Sequence, residues 1–390
     1  MPIRIPPDRA ARFLRSPDLL LGSAHRSWRK QVTSRIEYRR PDGVAGPPAQ
    51  VDLRLIESCN LRCKMCSQWG ESGYDFQRPR EDIKTFLRLP VYEDLADQLS
   101  SFSPKPWIYI WGGEPFLHPE LMPILECFKK RKFSLSIVTN GTRLRGSAAA
   151  LVAARTDVLM VSLDGTEQTH DRIRGMKGAF ATTVDGIRAV QEEKRKRGSA
   201  KPYIGIISVV SADNQDSLEA LFETANDLDI DVMLACYGWY QTDDSGARYT
   251  KMLQEALGIT PWSWKGWQWN VGKIDPVVVA ASVSRIKERR WSFPCMFFPD
   301  LKENEVASYY QDHSNTFGHN QCRAPWYEAA IMPNGDMVTC RDYPDVPLGN
   351  IQKAKFLDIW NSPRALAFRQ LVQKETLLPV CTRCTGLMCI

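Results

Sequence analysis

Long apolar runs are missing from this chain. The longest near the start, Leu19-Leu20-Leu21, falls far short of the roughly 20 residues a membrane-spanning helix needs. An N-terminal signal-peptide core is missing too, so the reading is a cytoplasmic protein. The eleven cysteines are an odd number in a long chain without a secretion signal. That argues against a disulfide framework and for thiolate ligands in a reducing compartment. No basic tract is interleaved with aromatics, which argues against nucleic acid as a partner. Nor is charge spread evenly. Residues 1–50 carry ten Arg or Lys against four acids, a surplus of six, equal to that of the whole chain. A basic N-terminal extension of this kind can face an acidic partner or make peripheral contact with an anionic lipid surface. The blander alternative is a solvated helix that packs on the body of the protein.

What is present is a folded body. The 390 residues are 43% hydrophobic and 25% charged, enough for a large core and two or three domains. After a Pro/Gly-rich linker at 41–49, strand-like and helix-like stretches alternate from 51 to about 236. Strands are expected at 51–57, 106–111, 133–139, 157–163, 203–210 and 230–236. Helices are expected at 81–101, 119–131, 146–154, 179–196 and 214–228. Six β/α units in order predict an α/β fold, a partial (β/α)6 TIM-type barrel with a parallel sheet. In such barrels chemistry gathers at the C-terminal ends of the strands.

Those ends are where the unusual residues fall. Cys59, Cys63 and Cys66 form C-x3-C-x2-C directly after the first strand. Closed zinc and cluster sites take four protein ligands, and no fourth cysteine or histidine lies nearby: the next are His118 and Cys127. Three thiolates on a four-iron cluster leave one iron open. The alternative is three buried cysteines, or a zinc site completed from afar. The second strand is followed by Gly112-Gly113-Glu114-Pro115, the third by Asn140-Gly141, and the fourth runs into Ser162-Leu163-Asp164-Gly165. Gly, Asn and Asp are also ordinary turn residues. Four such ends behind a three-cysteine loop converge on one mouth.

Farther on, Cys322, Cys340, Cys381 and Cys384 supply four more thiolates, with Gly335 in a hairpin turn between two strands. They suffice to close a second cluster or a four-cysteine zinc site. Cys340 is expected on the second strand of the hairpin, and Cys389 is spare or substituting. Between 237 and 318 five tryptophans fall within 31 residues. These read either as a substrate lid or as a hydrophobic bridge between domains.

The three-cysteine loop and the Gly-Gly-Glu-Pro stretch resemble the radical S-adenosylmethionine (radical SAM) enzymes. The C-terminal cysteines resemble the SPASM or shorter twitch auxiliary-cluster domain. The resemblance covers 51–236 and 319–390 and implies a domain plan of 1–50 basic extension, 51–236 barrel, 237–318 Trp-rich insert and 319–390 small β-hairpin auxiliary-cluster domain. It implies a four-iron, four-sulfur (4Fe–4S) cluster on Cys59, Cys63 and Cys66 whose open iron chelates S-adenosylmethionine. One electron from an external donor such as flavodoxin or ferredoxin then yields a 5′-deoxyadenosyl radical that takes a substrate hydrogen. A second 4Fe–4S cluster would sit on Cys322, Cys340, Cys381 and Cys384. Glu114, beside Gly112 and Gly113, is expected to accept from the cofactor ammonium. Ser162 and Arg174 are expected to donate to its carboxylate. Asn140 and Asp164 are expected at the ribose or in loop shaping, and Met65 against the adenine, where the family often has an aromatic. The substrate is expected to be a small molecule or a peptide. Oxidation or epimerisation of a sugar or aminocyclitol is the favoured reading, with maturation of a ribosomally made peptide as the alternative. A non-catalytic metal-stabilised interaction protein is the reading from another class.

Overall fold

The computed structural model describes residues 17–76, 78–79, 81–269 and 271–388. Cys389 and the first sixteen residues of the basic extension lie outside them. Strands β1 (Gln50–Arg54), β2 (Trp107–Trp111), β3 (Leu135–Thr139), β4 (Val158–Ser162), β5 (Tyr203–Val210) and β6 (Val232–Tyr237) follow one another in a parallel sheet. The helices between them include α4 (Leu121–Lys130), after α1 (Pro17–Trp28), α2 (Ser34–Tyr38) and α3 (Leu89–Ser100). Leu121, Ile124, Leu125 and Phe128 of α4 are all buried. They recur at i, i+3, i+4 and i+7, which lays one stripe on the sheet. Each such side chain contributes about 1.5–3 kcal/mol by leaving water. Lys129 and Lys130 end the helix, complementing its dipole.

The sheet extends beyond the six expected strands. A seventh parallel strand, β7 (Cys295–Phe298), pairs with β6 from within the Trp-rich stretch. Four residues long and preceded by Pro294, it offers too short a pattern to read from sequence. At the other edge, β8 (Glu328–Ile331) pairs parallel with β1, and β9 (Asp336–Val338) and β10 (Pro347–Asn350) continue antiparallel. The strand order is β10-β9-β8-β1-β2-β3-β4-β5-β6-β7. Its two ends do not pair, so the barrel stays open, and the C-terminal hairpin is an extension of the same sheet.

Residues 17–38 pack at the foot of the barrel, where the strands begin. Arg26 Nη1 donates to Gln50 Oε1 at 2.9 Å and its guanidinium lies 4.9 Å from the Trp107 ring. Tyr38 packs on Trp326 at 4.9 Å between ring centres. Among the described residues no helix is long and apolar enough to cross a membrane.

Candidate active site and auxiliary thiol site

The three-cysteine loop is clamped by backbone. Gly113 N donates to Ile56 O (2.8 Å) and Glu114 N to Ser58 O (2.9 Å). A side chain at Gly113 would stand 2.2 Å from Ser58 O, so glycine is required there by the loop itself. From the other side Lys64 N donates to Ile173 O at 3.0 Å. Helix α6 (Glu167–Arg174), which follows β4 after α5 (Leu144–Ala153), supplies that carbonyl.

Each sulfur of the loop meets an N–H. Leu61 N approaches Cys59 Sγ at 3.4 Å, Trp69 N approaches Cys66 Sγ at 3.3 Å, and Arg174 Nη1 approaches Cys63 Sγ at 3.5 Å. Asn140 Nδ2 lies 4.0 Å from Cys59 Sγ. Burial pushes the Cys59 thiol up to about 12 and Cys66 to about 11, and raises Cys63. These groups are neutral thiols without iron. A bound cluster displaces their protons, and the N–H groups then face thiolates. The donor set fits such a cluster.

The predicted cofactor contacts fare differently. Glu114 is fully buried. Its carboxylate accepts from Phe116 N (3.0 Å), Thr139 Oγ1 (2.7 Å) and Asn140 N (2.8 Å). It ties the end of β2 to the end of β3. These three donors hold the carboxylate at the end of β2, the position expected to receive the cofactor ammonium. Asp164 is likewise buried and shapes its loop, accepting from Ser208 Oγ (3.2 Å) and Val209 N (3.1 Å) and pairing with Arg174 Nη2 at 2.5 Å. Of its two expected roles, ribose contact or loop shaping, these bonds belong to loop shaping. Arg174 directs Nη2 to Asp164 and Nη1 to Cys63, and its buried Nε has no partner among the described residues. Asn140 bridges Asn60 (2.9 Å) and accepts from Thr142 N (3.0 Å), again loop shaping. Ser162 is half-buried at the end of β4. Half-buried Met65 lines a cleft of about 600 Å³ with Lys64, Asp213, Gln268, Trp269 and Lys273.

Sequence reasoning missed His170 and the Arg54–Asp75 pair. His170 Nδ1 accepts from Asp164 N at 3.1 Å, and burial followed by Arg174 pushes the imidazole down to about 4. Arg54, buried in the barrel, pairs with Asp75 and donates to Gln68 Oε1 at 3.0 Å. This draws the stretch after the cluster loop onto the barrel mouth. The signal was two charged residues, Asp52 and Arg54, at alternate positions of β1, hence on one face of it.

The second set assembles from distant segments. Gly335 N donates to Met332 O (2.9 Å) and Gly335 has φ +89°, so the hairpin turn is where sequence placed it. Cys340 follows β9 rather than lying on it, a correction of two residues. Burial first, and then the neighbouring cysteines of the set, raise the proton affinity of Cys340, Cys381 and Cys384, and burial raises that of Cys322. Backbone N–H groups serve Cys322 (from Ala324) and Cys340 (from Asp342 and Tyr343). Among the described residues no three such side chains converge on the spacing of a single metal ion.

The Trp-rich stretch joins the two sites. Asp345 Oδ1 accepts from Trp262 N (2.8 Å) and Ser263 N (2.9 Å), and its Oδ2 accepts from Ser263 Oγ (2.6 Å). Gly266 abuts Ser67 O, and Trp262 meets Tyr74 edge-on at 5.0 Å. The bridge is what these contacts show, while Trp269 faces the cleft.

Comparison with known proteins agrees. Residues 53–225 match the radical SAM superfamily and residues 322–385 the SPASM iron-sulfur cluster-binding domain. The tungsten-containing aldehyde ferredoxin oxidoreductase cofactor-modifying protein of Pyrococcus furiosus is 25% identical over 344 residues, 85% of this chain and 86% of that protein. The AdoMet-dependent heme synthase of Methanosarcina barkeri is 25% identical over 350 residues, 87% and 89%. In fold the chain is similar to Streptococcus suis SuiB bound to S-adenosylmethionine (TM-score 0.59, 15% identity, 84% of this chain and 69% of that one). The two families bring S-adenosylmethionine, a 4Fe–4S cluster and auxiliary cluster binding as cofactors. This chain is a member of the radical SAM superfamily that carries a C-terminal SPASM iron-sulfur cluster-binding domain.

Proposed function

We propose that the chain cleaves S-adenosylmethionine reductively at a cluster held by Cys59, Cys63 and Cys66, and abstracts hydrogen from a small polyhydroxylated substrate of the sugar or aminocyclitol type. When bound, that cluster supplies the electron that releases the 5′-deoxyadenosyl radical. The residues do the rest. Arg174, Trp69 and Leu61 point N–H groups at the sulfurs. Glu114, Asp164 and Asn140 fix the loops around them. The observation that carries the substrate class is the cleft beside the loop: one tryptophan face, Trp269, set among Lys64, Asp213, Gln268 and Lys273. An aromatic face for sugar C–H groups with hydrogen-bonding side chains around it suits a polyol. Cys322, Cys340, Cys381 and Cys384 would hold the auxiliary cluster that takes the second electron of a net oxidation. An epimerisation would return a hydrogen atom instead. A flavodoxin or ferredoxin supplies the first electron.

A second reading has one observation in its favour. The relatives matched over most of this chain are named for modifying a tungsten enzyme's cofactor and for making heme. A cofactor-sized, carboxylate-bearing substrate would meet Lys64 and Lys273 in the same cleft. The test is anaerobic reconstitution with iron and sulfide, followed by 5′-deoxyadenosine release with sugars, aminocyclitols, tetrapyrroles and peptides supplied in turn. Release stimulated by polyols supports the first reading. Stimulation by tetrapyrroles alone selects the second, and stimulation by peptides alone removes both.

A further inference from the structure

The N-terminal helical segment wears its polarity inside out. Facing the barrel are charged and polar groups. Arg29 forms a buried pair with Glu37 (3.0 Å) and donates to Pro47 O at 2.6 Å. Arg26 reaches Gln50, and fully buried Ser34 accepts from Arg323 Nη1 at 3.3 Å. Facing away are Leu20, Leu21, Trp28, Val32 and Ile36, at 39, 71, 55, 42 and 63% exposed. These are five of the nine large hydrophobic side chains that stand exposed among the described residues. With exposed Ala24 they recur at steps of three and four along α1, a π-helical turn at Arg29–Thr33 and α2. A surface helix that serves only its own fold shows the reverse arrangement. A contiguous outward apolar stripe marks a contact surface.

The surroundings of the stripe are cationic. Arg35 and Arg39 are exposed on or beside it, and Arg40 is paired with Asp42 at 2.8 Å. The one carboxylate between residues 20 and 40, Glu37, is buried against Arg29. Gly22 packs on Ser134, and past Ser134 a cleft of about 610 Å³ opens at the foot of the barrel. Lys129, Lys130, Lys132, Arg155 and Lys201 line it, with Glu126 as the one carboxylate, 4.0 Å from Lys130. Lys129 and Lys201 share Asp157 (2.5 and 2.6 Å). Exposed Lys132 and Arg155 sit just past the ends of α4 and α5 with φ of +61° and +55°. That left-handed backbone costs an ordinary side chain about 1 kcal/mol or more, where glycine would cost nothing.

We propose that this face lies on an anionic lipid bilayer, with the stripe sunk to headgroup depth and the cleft cations against lipid phosphates. An apolar stripe with tryptophan and a basic surround is the physical description of an interfacial helix, and each cation adds attraction to an anionic leaflet. A second copy of the chain suits the face badly, because an isologous pair would set the two cationic surrounds against each other. The cluster loop lies at the opposite ends of the strands, so docking here leaves the mouth in water.

The test uses the reconstituted full chain in vesicle co-sedimentation. One vesicle is phosphatidylcholine alone, the other phosphatidylcholine with one-third phosphatidylglycerol. Expected is binding to the anionic vesicle at least tenfold tighter than to the neutral one, weakened by salt. Leu21→Ser with Trp28→Ser and Ile36→Ser should lose at least tenfold of it, with unchanged cleavage of S-adenosylmethionine. Lys132→Glu with Arg155→Glu should lose a comparable factor. Four results would overturn the proposal: no preference between vesicles, binding untouched by the serine variant, full competition by inorganic phosphate (a free-anion site), or a dimer in light scattering that the serine variant dissolves.

Discussion

The two thiol sets make opposite uses of the chain. Cys59, Cys63 and Cys66 lie within eight residues on one loop, and tertiary contacts only clamp it. Cys322, Cys340, Cys381 and Cys384 span sixty-three residues, and the fold must bring them together. The first set ends a central strand, with N–H donors on all three sulfurs and buried Arg174 close by. The second hangs on an extension of the sheet beyond β1 and a short 3-10 turn at Pro379–Arg383. A local set survives modest distortion of the fold. A dispersed one depends on every connection that delivers its members. It also comes fully supplied with protein ligands, while the local set is one ligand short. The open set suits binding and bond cleavage, and the closed set suits electron storage.

The most severe test removes the local set. Cys59→Ala with Cys63→Ala and Cys66→Ala should reduce a reconstituted content of about eight irons to about four and abolish 5′-deoxyadenosine formation. Iron near four in the wild-type protein, with zinc making up the difference, would end the claim of two clusters. Next comes the dispersed set. Cys381→Ala with Cys384→Ala should leave abortive cleavage of S-adenosylmethionine intact while product disappears. Product and 5′-deoxyadenosine in near-equal yield from a variant shown to lack the second cluster would reduce that domain to a scaffold.

A smaller effect is expected at Glu114. Its removal strands three donors in a buried place, so Glu114→Ala should cost about 2–3 kcal/mol of stability. Glu114→Gln keeps one acceptor oxygen and should cost about 1 kcal/mol. Denaturation midpoints decide the matter: a Gln variant that loses cofactor affinity at unchanged stability would show a direct contact between Glu114 and the cofactor.

The smallest effect is shared by both sites. His170 beside the first and His313 beside the second are each pushed down to about 4, by burial and then by Arg174 and Arg383 respectively. In the unfolded chain each titrates near 6.5. A depressed folded value means the unfolded state takes up protons first, so stability is full above 6.5 and falls as pH drops from there toward 4. His170→Gln and His313→Gln should flatten that slope in melting temperatures measured between pH 7 and 5. A slope equal to the wild type in both would show that other groups set the acid limit.

The chain's order of strands, its open-site cysteines and its hairpin at Gly335 were legible because each is written locally. Strand period, ligand spacing and turn chemistry need only neighbouring residues. The polar and glycine-bearing strand ends also announced a barrel mouth, and the matched families agree with the fold. What the sequence could not determine is where a side chain spends its charge. Glu114, Asp164 and Arg174 carry the chemistry of cofactor ligands, and the fold also gives the first three buried donors and pairs the other two with each other. β7 and the pairing of β8 with β1 were hidden for a similar reason: a four-residue strand has no period of its own and takes its identity from the edge it joins. The inverted N-terminal segment shows the same division. Its charge surplus was countable, but only packing against the barrel revealed that Arg26 and Arg29 face in while leucine, tryptophan and isoleucine face out. Sequence by itself determined the spacing and type of the groups. Tertiary structure alone decided which partner desolvates each one, because burial and hydrogen bonding depend on residues far away along the chain.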